Sequence, residues 1–422
     1  MYSRSTSVEF NSLLDYLYKL QRLGIKVGLN HTFELLQRCG NPQNQFQSIH
    51  IAGTNGKGST SAIISSILME AGLKVGLYTS PHLIRFNERI RVNGKPISDS
   101  KIVEFVDEHR SDIDDIESTF FETTTAMAFR YFANKNVDIA VVETGLGGRL
   151  DSTNVLTPDL TVITPISLDH RDILGKNILD ISKEKAGIIK KNIPLVLAPQ
   201  DNAVFSQLLK IAGDLDSDVA IVDPPTKVTL SKSGTAFIKN GLSFKTPMIG
   251  RHQAINNSVA IEAVQIFMPE IQKEVIDIGI QKVKWPGRLQ RMSIEKPIYY
   301  DVSHNAHGIQ MTLQALHDIF SQKPIGILVM KGDKEVDLVA AAIKNKFDQL
   351  IISGDTDLGL LSGADLSDKL SSKGLANSTS IDRFEDALHH IAGIMGKDSP
   401  PTLIFGSHYV AEAVFNKFGF LF

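Results

Sequence analysis

Between Ser48 and Thr60 the chain reads SIHIAGTNGKGST: a short β-rich run, a glycine-rich turn, one lysine and two hydroxyls. That combination suits a phosphate. Glycine lets backbone N–H groups turn inward where a Cβ would collide. A helix that starts there adds unpaired N–H groups at its positive end. Thr54, Asn55, Gly56 and Gly58 form the turn, and Lys57 brings a full positive charge to the outer phosphates. Ser59 or Thr60 can offer a hydroxyl to Mg²⁺. Gly58 separates Lys57 from Ser59, so the strict phosphate-loop spacing is not kept. A glycine-rich turn that only joins strand to helix is the alternative, although strand, lysine and helix fall where a phosphate loop requires them.

The other candidates stand at the ends of apolar runs. Glu143 closes VDIAVVE, where a phosphate-bound Mg²⁺ would find a hard oxygen ligand; an exposed strand-end glutamate is the competing reading. Ser80 and His82 follow the run ending at Thr79. His170, in SLDHRDILG, reads first as a hydrogen-bonded structural histidine and second as a ligand. Lys185, in SKEKAGII, reads as a solvated helix charge. Further on, DVSHNAH places Asp301 and His304 after the run IYY. Asp301 can hold a ribose hydroxyl or a base edge and His304 can sit over a cleft, or both belong to a turn capped by Asn305. Arg288 follows Trp285-Pro286-Gly287 and is either a hinge-borne charge for a phosphate or a surface arginine.

Apolar strands alternating with helices must carry these residues. Strand-like runs are 48–52, 74–79, 137–142, 160–165 and 193–198; helical spacing covers 7–20, 59–71, 123–133 and 178–189. That alternation predicts a mostly parallel sheet covered on both faces. Ligands of such sheets bind beyond the carboxyl ends of the strands, and Gly53 to Ser59, Ser80, His82, Glu143 and His170 each follow one. Residues 219–247 change character, with turn signals at Ser233-Gly234 and Asn240-Gly241, and predict a small antiparallel patch. Strand-like runs at 297–302, 325–330, 349–353 and 402–405 predict a second α/β domain. The fold class is therefore α/β: a P-loop-type, mostly parallel sheet domain over 1–286, followed by a smaller Rossmann-like domain over 287–422.

Composition narrows the function classes. The 422 residues exceed one ordinary core. A net charge of −3 argues against non-specific nucleic-acid binding. Cys39 is the single cysteine, which excludes a disulfide framework and fits a reducing compartment. With no apolar leader and no run of about 18 apolar residues, no membrane span is predicted, and the cytoplasm is the expected location. No exposed apolar stripe points to an obligate dimer, so a monomer is expected.

In order, the stretches AGTNGKGST, TSPHL, ETGLGGRLDSTN, SLDH, EKAGI, HQAIN, PGR and DVSHNAH resemble folylpolyglutamate synthase and dihydrofolate synthase, within the Mur ligase superfamily of ATP-dependent amide-forming ligases. The resemblance runs from about Leu23 to the end, and the inserted Gly58 is this family's own form of the loop. It implies a nucleotide site of Thr54, Asn55, Gly56, Lys57, Gly58, Ser59, Thr60, Asn256, Arg288 and Asp301. It implies Ser59, Ser80, Glu143 and His170 as metal ligands for two Mg²⁺ ions, with a monovalent cation such as K⁺. Lys185 is implied as the carbamylated lysine, with Lys57, Lys185 and His304 catalytic. Folate-binding positions are Lys26, Val27, Gly28, Leu29, Thr119, Phe120, Phe121, Glu122, Leu150, Asp151 and Ser152. His304 and Ser407 are implied to lie near the incoming glutamate.

The expected activity is ATP-dependent addition of L-glutamate to a folate carboxylate: tetrahydrofolate polyglutamylation, together with conversion of dihydropteroate to dihydrofolate. ATP and the folate are expected between the two domains, with closure about Trp285–Arg288 excluding water. Two alternatives stay open: a related amide ligase with another acceptor, and a nucleotide-dependent switch protein that is not a ligase.

Overall fold

The computed structural model describes residues 5–20, 28–332, 336–375, 378–396 and 398–420. The chain forms two compact units, Met1–Pro224 with Asn256–Val283, and Pro225–Ile255 with Lys284–Phe422.

Among the described residues of the first unit, eight strands form one sheet: β1 (Gln47–Ala52), β2 (Val75–Tyr78), β3 (Ile90–Val92), β4 (Lys95–Pro96), β5 (Ile139–Glu143), β6 (Leu160–Ile163), β7 (Leu195–Leu197) and β8 (Val219–Ile221). Their spatial order is β4-β3-β2-β5-β1-β6-β7-β8. From β2 to β8 all neighbours are parallel, and β3 and β4 add an antiparallel edge. β5 is buried throughout and β1 is buried after its first residue, which is why IAVVE reads as an unbroken apolar run. On one face lie Phe86, Phe120, Phe129 and Phe132, with helices Asn30–Arg38, Asp99–Ile116 and Phe120–Asn134. The other face packs Ile163, Leu195 and Leu197 against helices Ile178–Ala186 and Asn202–Asp214. Chain order reverses beside β1, and that reversal opens a crevice at the carboxyl ends.

Helix Lys57–Glu70 follows β1 and is buried from Gly58 to Leu68, so it carries small and apolar residues all round. Gly72, at φ +89°, follows its last turn. The helix expected from Thr123 begins at Phe120. Thr119 caps it: the Glu122 N–H donates to the Thr119 hydroxyl at 3.4 Å, and the Thr119 N–H donates to the Glu122 carboxylate at 2.7 Å. Val219–Ile221, grouped with the antiparallel patch by its sequence, instead pairs parallel with β7.

In the second unit β9 (Thr226–Ser231), β10 (Gly234–Lys239) and β11 (Leu242–Thr246) form the antiparallel patch, with turns where Ser233-Gly234 and Asn240-Gly241 fall. Its main sheet holds β12 (Gln290–Arg291), β13 (Ile298–Asp301), β14 (Ile325–Leu328), β15 (Gln349–Gly354), β16 (Thr379–Arg383) and β17 (Thr402–Phe405), in the order β12-β13-β17-β14-β15-β16. β12 is antiparallel to β13 and the rest are parallel. β16 carries a polar edge and has no apolar run to announce it. The patch joins this unit because Leu230 and Ile249 enter its core, Lys232 lies 5.1 Å from the Phe320 ring, and Arg251 pairs with Asp318 at 2.7 Å. The sequence-based division placed those residues before a boundary at 286. No helix among the described residues is long and apolar enough to cross a membrane.

Candidate active site

Four neighbouring strands, β2, β5, β1 and β6, deliver the first unit's candidates to one edge. The turn after β1 is fixed from beneath. The N–H groups of Thr54 and Asn55 both donate to the Pro165 carbonyl at 3.1 Å, and the Thr54 hydroxyl donates to the Ser167 carbonyl at 3.0 Å. Gly53, at φ +150°, has no room for a Cβ, which would stand 1.9 Å from the Thr164 hydroxyl. Gly56, at φ +88°, precedes the helix, and a Cβ there would meet Asn256 Oδ1 at 2.3 Å. No side chain caps that helix start, so its first N–H groups face the turn.

Lys57 and Glu143 meet over this turn. Lys57 Nζ lies 3.9 Å from Glu143 Oε1, and the Ser80 N–H donates to Glu143 Oε2 at 3.3 Å. Glu143 is only 4% exposed and Ser59 only 2%. Burying a carboxylate is costly unless a cation faces it. Here it faces an ammonium at a loose distance, and a buried carboxylate is a hard oxygen donor of the kind that fits Mg²⁺. Among the described residues no three His, Cys, Asp or Glu groups converge on one point. An ion here would therefore draw on hydroxyls, water and phosphate oxygens. His170 is exposed, in the left-handed region at φ +51°, at the start of the short helix Arg171–Leu174, with Asp169 at 3.9 Å.

Lys185 departs from the solvated reading. It is 5% exposed in the last turn of helix Ile178–Ala186. Burial, and after it the charge of Lys57, push its ammonium down to about 7, against the opposing pull of Asp169 and Asp151. The loop after β5 is fastened to the same turn: the Arg149 N–H donates to the Glu184 carbonyl at 2.7 Å, and the Asn154 amide donates to the carbonyls of Arg149 and Gly187 at 3.0 Å.

Beside this helix lies a cleft of about 200 Å³. Gly28, Thr119, Phe121, Glu122, Leu150, Asp151 and Ser152 line it, so seven of the eleven folate candidates come together. Leu29 packs on the core, Phe120 is 1% exposed in it, and Lys26 and Val27 lie outside the described residues.

In the second unit Asp301 ends β13, buried, and accepts from the N–H groups of Leu289 at 2.7 Å and Ser303 at 2.8 Å. Arg288 is half-buried and donates to the Gly287 carbonyl at 3.2 Å. His304 Nδ1 lies 3.1 Å from the Val302 carbonyl. The buried Ser407 follows β17, and its hydroxyl accepts from the Tyr409 N–H at 3.1 Å.

Comparison with known proteins gives this geometry a family. Residues 51–264 match the Mur ligase middle domain and residues 287–408 the Mur ligase glutamate ligase domain. The dihydrofolate synthase/folylpolyglutamate synthase of Bacillus subtilis is 37% identical over 73% of this chain and 76% of its own length. The chain belongs to the folylpolyglutamate synthase/dihydrofolate synthase family of Mur ligases. The Mycobacterium tuberculosis folylpolyglutamate synthase complexed with ADP and AMPPCP superposes with a TM-score of 0.89 at 31% identity, covering 97% of this chain and 99% of that one. A bifunctional folylpolyglutamate synthase/dihydrofolate synthase with manganese, AMPPNP and L-glutamate bound superposes with a TM-score of 0.83 at 26% identity, covering 96% and 97%.

Sequence reasoning missed several residues of this ligase's cleft. Arg149 and Glu184 pair at 2.9 Å on its lining, and Ile173 and Leu174 add apolar wall. Arg149 was visible inside GLGGRLD and Ile173 three residues after His170, but only the packing of that loop on helix Ile178–Ala186 brings them to one surface.

Proposed function

We propose that this chain is an ATP-dependent ligase that joins L-glutamate to a folate carboxylate. The observation that carries the reading is the adjacency of two sites within the first unit. Glu184 lines the cleft, and the next residue, Lys185, is buried within reach of Lys57's charge. An acceptor in the cleft thus lies beside a phosphate loop, as carboxylate phosphorylation requires.

In this reading the acceptor carboxylate attacks the γ-phosphate of ATP, giving an acyl phosphate and ADP. The α-amine of glutamate then attacks the acyl carbon, phosphate leaves and the amine proton passes to solvent. Lys57 and the helix start neutralise charge on the transferring group. Ser59, Ser80, Glu143 and His170 would hold Mg²⁺, two ions in all, and a monovalent cation such as K⁺ would complete the set; bound there, these cations would offset phosphate charge. Thr54, Asn55, Gly56, Gly58, Thr60, Asn256, Arg288 and Asp301 hold the nucleotide. His304 and Ser407 receive glutamate. Lys185 in its neutral form adds to CO₂ and loses a proton, becoming a carbamate that tolerates the nearby cationic centre. The acceptor is tetrahydrofolate for chain extension and dihydropteroate for dihydrofolate synthesis. The protein acts as a cytoplasmic monomer.

The test is phosphate release with ATP, glutamate and either dihydropteroate or tetrahydrofolate. Release that depends on both glutamate and a pteridine supports the reading. Release indifferent to both sinks it.

A further inference from the structure

The middle of β1 holds a residue that a doubly covered strand does not ask for. His50 is fully buried, in register with Val142 of β5 and Thr161 of β6. Its Nε2 lies 2.8 Å from the Thr153 hydroxyl oxygen. That hydroxyl donates its single proton to Asp151 Oδ1 at 2.5 Å. The Thr153 oxygen must then accept from His50, so the imidazole proton resides on Nε2. Nδ1 is left as a buried acceptor with no hydrogen-bond partner among the described residues. Burial, and after it the charge of Lys190, push His50 down to about 3, so the ring is neutral throughout the working range. A buried polar atom left in this way costs stability. Its retention in a central strand needs a return elsewhere.

We propose that His50 and Thr153 are positioning residues that fix the Asp151 carboxylate in the wall of the acceptor cleft. Asp151 lines the cleft and is itself 8% exposed. Oδ1 also accepts from the Thr153 N–H at 3.0 Å, and Oδ2 accepts from the Leu146 N–H at 2.8 Å. The carboxylate therefore closes the loop from Leu146 to Thr153 on itself, and His50 ties that closed loop to the sheet. Three residues after His50 the same strand becomes Gly53, the start of the phosphate loop. One strand thus sets both the phosphate cradle and the orientation of the acceptor wall. The relay runs from β1 through N–H···O and O–H···O to a carboxylate, and it has one direction, because threonine has one proton to give.

The assignment rests on the reading of the cleft as the acceptor site. Its test compares Thr153→Val with Thr153→Ser, and His50→Leu with His50→Gln. Glutamine's amide places an N–H near the position of Nε2. Removing the hydrogen bond to the charged carboxylate should raise the acceptor KM about tenfold or more in Thr153→Val, and removing the neutral His50–Thr153 bond should raise it about fivefold in His50→Leu, with the ATP KM held within about twofold. Serine and glutamine should bring the acceptor KM back to within about threefold of wild type. Calorimetric titration of dihydropteroate, without turnover, should give the same order. Should Thr153→Val fail to fold, the His50 pair decides by the same measures. Equal acceptor affinity in the paired variants, or acceptor and ATP KM rising together, overturns the relay. Wild type that binds neither dihydropteroate nor tetrahydrofolate overturns the reading of the cleft instead.

Discussion

Lys57 Nζ stands 3.9 Å from the Glu143 carboxylate, joining the turn after β1 to the last residue of β5 across two paired strands. The two residues are 86 positions apart in the chain, and the parallel register that sets Ile51 opposite Glu143 is what brings them together. A cation and a carboxylate held loosely at a helix N-terminus can exchange each other for a phosphate and a divalent ion.

Replacing either partner should separate their roles. Lys57→Ala should lower kcat about a hundredfold or more, since one fixed donor to developing charge is lost. Glu143→Gln should raise the Mg²⁺ concentration for half-maximal turnover about tenfold or more, as loss of a metal-site group does. Mg²⁺ titrations of glutamate-dependent phosphate release read both effects. An unchanged Mg²⁺ requirement in Glu143→Gln would remove that residue from the metal site.

Gly56 offers a test of the turn. Alanine at φ +88° costs about 1–2 kcal/mol, and its Cβ must displace the Asn256 amide. Gly56→Ala should lower the melting temperature and raise the ATP KM, with the acceptor KM unchanged. Gly213, where a Cβ meets nothing within 4 Å, provides the control: Gly213→Ala should leave both KM values alone.

Two adjacent phenylalanines should behave differently. Phe120 is 1% exposed and packs against Phe86 and Tyr18, so Phe120→Ala should cost about 3–5 kcal/mol of stability. Phe121 is 40% exposed and lines the cleft, so Phe121→Ala should cost about 1 kcal/mol or less while weakening acceptor binding about tenfold. Denaturation paired with dihydropteroate titration separates the two. Equal destabilisation would show that both rings serve packing alone.

Lys185 makes stability depend on pH in a defined window. Its folded ammonium titrates at about 7, mainly through burial. In the unfolded chain a lysine titrates at about 10.4. Between these values the unfolded chain holds a proton that the folded chain lacks, so stability rises with pH and is lost as pH falls toward 7. In carbonate-free buffer Lys185→Met should flatten that slope, measured by urea denaturation from pH 7 to 10. Identical slopes would place the ammonium in solvent.

The carbamate makes a separate prediction. Lys185→Ala should lose turnover and regain part of it with added short carboxylic acids, which supply an oxygen donor to the space left open. A lysine acting only as a surface charge would show little loss and no response to those acids.

The sequence alone determined the parts whose signal is local. Unbroken apolar runs marked the buried parallel strands, because such strands show water neither face. Glycines that accept positive φ marked the phosphate turn at Gly56, and the turns at Ser233-Gly234 and Asn240-Gly241 marked the antiparallel patch. What depended on distant pairing was settled only by the tertiary structure. Lys185 looks like any helix lysine until the packed loop after β5 buries it, since burial is a property of neighbours far along the chain. Residues 225–255 join the second unit through Leu230, Ile249 and Arg251, contacts to partners that no local pattern announces. Thr153 and His50, 103 positions apart, became partners because parallel strand order brought the loop after β5 onto the middle of β1. Periodicity and turn chemistry act over a few residues, whereas the side chains that meet at a sheet's edge are chosen by the order in which its strands pair.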